Sequence, residues 1–242
     1  TEGAAVLHND GGDITADELA PLLDDTFGVL PPTAAPTAVS EADVPATSRL
    51  IVVERKQPQT VALFAGPGLK IDDPEFFPAY VMNYILGGGG FSSRLMEEVR
   101  EKRGLAYGVS TFLLPYDYGA AFLGNVATEN ERIAESLDII RAEMVRLRDE
   151  GVAAEELADA KTYLTGSFPL RFDSNTSIAN TLVSYQLSDR GIDYINERNG
   201  LIEAVTADEI ARVAARLLDP DALTIVVVGQ PVGLAPGAAA AE

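Results

Sequence analysis

One histidine, His8, and no cysteine stand among the 242 residues of this chain. Zinc sites draw three or four protein ligands mainly from Cys, His and carboxylates, so His8 is read as a strand-end residue and no metal is expected here. Carboxylates are plentiful, but no EF-hand spacing arranges them for calcium. The stretch that asks for a chemical explanation is YILGGGGFSSRLMEEVREKRGLAY, over 84–107. Gly87, Gly88, Gly89 and Gly90 end an apolar helical segment. Glycine loses more backbone entropy on folding than any other residue and brings no side chain to bury. Four in a row therefore point to unusual dihedrals, or to a backbone that something else approaches closely. Phe91, Ser92, Ser93 and Arg94 complete the turn, and Ser92 or Ser93 is read as the cap of the next helix. The amides at that helix start offer a weak carboxylate site.

The elements that must position this stretch are legible from pattern. RLIVVE (49–54) and TVALFAGPGL (60–69) are strand-like by their β-branched content. A helix is expected from Pro74, placed in its first turn, to about 86, and another from 92 or 93 to about 102. Strands follow near 105–114 and 118–127, with Pro115 and Gly119 bracketing a hairpin turn. From 129 to 150 the apolar residues Ile133, Leu137, Ile140, Met144 and Leu147 recur at three- and four-residue spacing, one stripe of an amphipathic helix. Helices are expected at about 153–166, 176–188, 191–204 and 206–218, and a last strand at 222–229. Asp173, Ser174 and Asn175 read as a cap and turn. TADE occurs at 15–18 and again at 206–209, each time with a Thr and a Glu three apart in capping-box spacing. Upstream, 4–8 is strand-like and 13–28 helical. The segment 29–48 is rich in Pro, Ala, Thr and Ser and reads as a linker. The tally predicts an α+β layer, an antiparallel sheet with helices packed on one face.

Composition sets the outer limits. The formal net charge is −19, which disfavours nucleic acid and anionic membrane surfaces as partners. Solubility accounts for it, and basic peptides suit it. No apolar run reaches the roughly 20 residues of a membrane span, and no leader pattern opens the chain. The absence of cysteine excludes disulfides but leaves cytoplasm and periplasm equally open.

Taken together, NYILGGGGFSSRLMEEVREKRGLAYGV, the lead-in GPGLKIDDPEFFPAYVMNYIL, the segment LTGSFPLRFDSN and the ending AVTADEIARVAARLLDPDALTIVVVG resemble the C-terminal half of the pitrilysin/insulinase (M16) class of zinc peptidases, which includes mitochondrial processing peptidase. The resemblance covers roughly residues 48–230. It implies one homologous half of a two-half metallohydrolase whose halves enclose a chamber for extended peptides. It divides the chain into a remnant of the preceding half (1–31, a strand plus a helix), a linker (32–48), a peptidase-like C-terminal domain (49–230) and a disordered tail (231–242). In the family the N-terminal half carries zinc on an HxxEH motif, which this chain lacks. The zinc is therefore expected in the partner half, no cofactor is expected in this chain, and the chain alone is expected to be inactive. The family's C-terminal half supplies an Arg and a Tyr in an R-x6-Y pattern, which falls on Arg100 and Tyr107. The resemblance gives these two a supporting role at the substrate carbonyl, and gives Gly87, Gly88, Gly89, Gly90 and Phe91 a role in substrate binding. It implies pairing with an N-terminal zinc-bearing half or with a separate catalytic subunit. Two functions follow from it: half of a zinc endopeptidase, or a non-catalytic partner subunit that binds peptides. A stand-alone peptide-binding module is the third reading, and self-association of the fragment as a homodimer is expected through the apolar surface meant for its partner.

Overall fold

In a computed structural model, residues 13–31, 38–191 and 193–234 are described. The strand expected at 4–8, His8, the middle of the linker and the end of the tail lie outside them. Contacts divide the chain into two compact units: Thr1–Ser40 with Gly166–Arg198, and Glu41–Thr165 with Asn199–Glu242.

The larger unit is built on five strands, β1 (Arg49–Glu54), β2 (Gln59–Pro67), β3 (Ala106–Tyr116), β4 (Gly119–Glu129) and β5 (Thr224–Gly229). Their order in the sheet is β1-β5-β2-β4-β3. The expected antiparallel sheet holds at every pairing except one, because β1 and β5 run parallel. The connection over 55–58 is short, so β1 and β2 run antiparallel as a hairpin would. The strand inserted between them, β5, must therefore be parallel to one of the two, and it is antiparallel to β2. The hairpin turn between β3 and β4 is Asp117 and Tyr118. Pro115, expected to bracket it, pairs with Ala120 inside β3. An edge strand tolerates a residue without an N–H.

Alternate residues of the strands face a covered and an open side. Ala62, Phe64, Phe122, Val126, Ile225 and Val227 are buried. Helices of this unit supply much of the rest of the core, among them α2 (Phe76–Asn83), α3 (Ile133–Glu150) and α7 (Ala207–Leu217). All five residues of the α3 stripe are buried, and Gly151, at φ +72°, ends that helix. The Thr206–Glu209 capping box forms at α7 as the spacing predicts. α2 begins at Phe76, two residues beyond Pro74, which occupies the preceding turn. On the open side the register sets Val61 between Val228 and Ala127, and Leu63 between Val226 and Asn125. Val61, Leu63 and Phe112 on that side remain exposed.

In the smaller unit, α1 (Ala16–Phe27) carries the first capping box, Thr15 with Glu18. α5 (Asn175–Leu187) is capped by the Ser174 hydroxyl, which accepts from the Ser177 N–H, the structural role expected there. Neither helix buries a residue fully. Two further helices, α4 (Ala154–Gly166) and α6 (Tyr194–Ala204), lead out of and into the larger unit.

Candidate functional site

Two π-helical turns occur in this stretch: Tyr84–Gly88, which includes the first two glycines, and Met96–Glu101 beyond them. Such one-residue widenings of a helix occur often at functional sites. Nothing in the residue types predicts them: the first takes only the end of the helix expected to about 86, whose regular part is α2, and the second takes most of the helix expected to about 102. Each glycine has its own reason. A Cβ on Gly87 would lie 2.6 Å from Thr111 Oγ1 and 3.1 Å from Leu95 Cδ1, on Gly88 2.6 Å from Asn83 Nδ2, and on Gly89 2.7 Å from the Tyr84 carbonyl oxygen. Gly90 has open space around it but a φ of +57°, a left-handed backbone that favours glycine. Both reasons anticipated from the sequence thus operate, close approach at three positions and an unusual dihedral at the fourth. The approaching groups belong to this chain.

Ser93 has the extended backbone of a residue entering a helix, and its carbonyl accepts from the Glu97 N–H at 3.0 Å. Its hydroxyl, however, donates to the Gly90 carbonyl at 2.7 Å, so it fastens the glycine turn and does not cap the helix amides as expected. Arg94 is held by Glu156, with Nη2 to Oε2 at 2.6 Å, and donates to the Gly151 carbonyl at 2.9 Å. That pairing spans 62 residues and left no sequence signal. Glu98, also missed, is buried and takes Lys102 Nζ at 2.6 Å and Arg103 Nη1 at 2.5 Å. Those hydrogen bonds, from Lys102 first, hold its carboxyl below the usual range. The i,i+4 spacing of Glu98 and Lys102 was the available clue.

The helix ends at Gly104, φ +60°, and the chain enters β3. Ala106 pairs with Thr128 and Gly108 with Ala127, so Tyr107 is the extra residue of a β-bulge. Bulges re-aim side chains and gather at sheet edges and beside active sites. Here the bulge leaves Tyr107 83% exposed at the start of the edge strand. The Arg100 guanidinium carbon lies 4.8 Å from the Tyr107 ring centre and 4.4 Å from that of Phe91, within cation–π range of both. Among the described residues its only charged contact is the adjacent Glu101, at 3.6 Å. An open cleft of about 490 Å³ beside them is bordered by Gln59, Arg100, Tyr107 and Glu129. Three residues singled out in the sequence, Phe91, Arg100 and Tyr107, thus meet at one edge of the sheet, with the glycine turn leading into them.

Among the described residues no three His, Cys, Asp or Glu side chains are grouped to hold a metal ion. Among the described residues no helix is long and apolar enough to cross a membrane.

Residues 11–164 match the family described as the peptidase M16 inactive domain. An uncharacterized zinc protease of Streptomyces coelicolor is 30% identical over 175 residues, which are 72% of this chain and 38% of that protein. A protein of Helicobacter pylori named as the non-peptidase homolog YmxG is 29% identical over 181 residues, 72% of this chain and 40% of that one. The chain therefore spans about two fifths of the length of these curated relatives. The crystal structure of a peptidase M16 inactive domain from Pseudomonas fluorescens superposes with a TM-score of 0.80 at 28% identity, over 93% of this chain and 54% of that one.

Proposed function

The chain belongs to the peptidase M16 inactive-domain family, and from that membership we propose that it is the half of a zinc-dependent endopeptidase that carries no metal, binding extended peptide and stabilising the transition state opposite a zinc-bearing half. Hydrolysis of a peptide bond builds negative charge on the carbonyl oxygen. Donors fixed in advance around that oxygen lower the barrier most effectively where water is excluded. Tyr107 supplies an O–H donor and Arg100 a charged fork of N–H donors. The observation that carries the reading is their joint placement: Tyr107 is pushed out by the bulge, and the guanidinium lies against its ring. The exposed apolar residues of the open sheet side, Val61, Leu63 and Phe112, offer further surface to the second half or to the peptide.

The test uses the full-length protein with its zinc-bearing half. Cleavage of an unstructured peptide, abolished by a chelator and strongly reduced by Tyr107→Phe, is the expected result. Chelator-sensitive cleavage that Tyr107→Phe leaves unchanged would remove the oxyanion role. The Helicobacter relative's name, non-peptidase homolog, favours a second reading, in which the chain belongs to a partner subunit that binds peptide for a separate catalytic chain. Full-length protein that binds peptide without metal or cleavage would select it.

A further inference from the structure

We infer that Phe91 is a positioning residue that clamps Arg100, so that the glycine turn acts on the reaction through the guanidinium and not by touching substrate. This inference rests on the peptidase reading and refines its site. Phe91 is 67% exposed, although exposure of a phenyl ring brings no stability of its own. Its ring centre lies 4.4 Å from Arg100 Cζ, nearer than that of Tyr107 at 4.8 Å. The guanidinium is therefore in contact with two rings and makes no hydrogen bond to another described residue, its charged contact being Glu101 at 3.6 Å. Stacking restrains the plane of the guanidinium while leaving its N–H donors free.

The backbone that delivers Phe91 is fixed separately. Gly90 turns at φ +57°. Its carbonyl accepts from both the Ser93 N–H, at 3.0 Å, and the Ser93 hydroxyl, at 2.7 Å, closing the turn Gly90–Ser92 that carries Phe91. Gly89 is held behind it by its N–H to the Tyr84 carbonyl at 2.8 Å. The backbone of the turn is thus tied at both ends by its own hydrogen bonds, and its one large side chain is laid on the arginine. A ring placed to meet substrate directly would not need to cover a charged side chain of its own chain.

Two measurements test this. In the 242-residue chain, the Arg100 Nε–H resonance, assigned by its loss in Arg100→Lys, is expected to carry ring-current shifts that Phe91→Ala and Phe91→Leu both diminish and Phe91→Tyr retains. Phe91→Leu keeps apolar bulk without a ring and so separates stacking from packing. In the full-length protein, Phe91→Ala is expected to lower kcat about ten- to a hundred-fold, the scale of a misplaced catalytic group, with KM little changed and Phe91→Tyr restoring the rate. A resonance indifferent to Phe91→Ala overturns the clamp. A raised KM with kcat intact overturns it too, and returns Phe91 to the substrate surface. A wild-type protein that cleaves nothing overturns the peptidase reading and the catalytic role of the clamp with it, while the resonance still decides whether Phe91 holds Arg100.

Discussion

At Gly87 an added methyl group would sit 2.6 Å from Thr111 Oγ1 and 3.1 Å from a Leu95 methyl; four residues on, Phe91 is 67% exposed and lies on a guanidinium. The first site is determined by neighbours on every side, and a change there is a change in packing. The second is open to solvent, and its residues touch mainly one another. Adjacent segments of one turn therefore divide the work. The closely approached glycines fix where the backbone goes, and the exposed cluster presents charge and a phenol at the sheet edge. A substitution in the first should register as lost stability, and one in the second as lost function.

The largest effect that can break this division is on catalysis. Tyr107→Phe in the full-length protein is expected to lower kcat for peptide cleavage about 10²- to 10³-fold, as loss of one oxyanion donor does. Single-turnover kinetics would check it, and a loss confined to KM would move Tyr107 from the transition state to ground-state binding.

Next comes packing. Gly87→Val should cost about 1–3 kcal/mol, the usual range for overfilling a close-packed site, read from the denaturant midpoint of the chain. Gly90→Ala meets no atom within 4 Å but must hold φ +57°, so about 1–2 kcal/mol is expected, from the left-handed backbone alone. If Gly90→Ala proved costlier than Gly87→Val, close approach would not be the main reason for this glycine run.

How far the sequence discloses these two regions follows from the range of the interactions. The α3 stripe and both capping boxes were readable because they depend on neighbours within four residues. The glycine run announced a constraint, but not that Thr111, 24 positions later, imposes part of it. The contact of Arg100 with Phe91 depends on two π-helical turns, and the outward turn of Tyr107 on a bulge. Each is a one-residue irregularity that the residue pattern does not mark. The parallel β1–β5 pair was missed for a related reason: strand order belongs to the whole sheet, whereas each strand's residue pattern is the same in either direction.

Two buried carboxylates respond to acidity with opposite signs. Glu98 is held below the usual carboxylate range by hydrogen bonds from Lys102 and Arg103. A depressed folded pKa means its stabilisation is present above the ordinary glutamate range, about 4.3, and is lost as pH falls through the folded value. Glu143 is opposite in sign: burial raises its carboxyl, against the nearby Arg146. Its contribution is full at low pH and lost as pH rises through its raised value. Glu98→Gln should therefore lower the melting temperature at pH 7 and approach wild type in acid. Glu143→Gln should compare best with wild type at the higher pH. Parallel curves for both variants would show that neither carboxylate is linked to folding as the contacts suggest.

The smallest effect is also the sharpest test. Tyr107 is 83% exposed, its ring sits outside the core, and no described residue hydrogen-bonds its hydroxyl. Removing that hydroxyl takes nothing from the folded chain, so Tyr107→Phe should shift stability by less than about 0.5 kcal/mol, the scatter of surface substitutions. The same change is expected to be the most damaging of all to turnover. A residue kept for packing loses stability and rate together, and a residue kept for chemistry loses only rate. Chemical denaturation of wild type and Tyr107→Phe, set beside their cleavage rates, separates the two. A variant destabilised by several times that scatter would place Tyr107 with the glycines, among residues whose positions serve the fold.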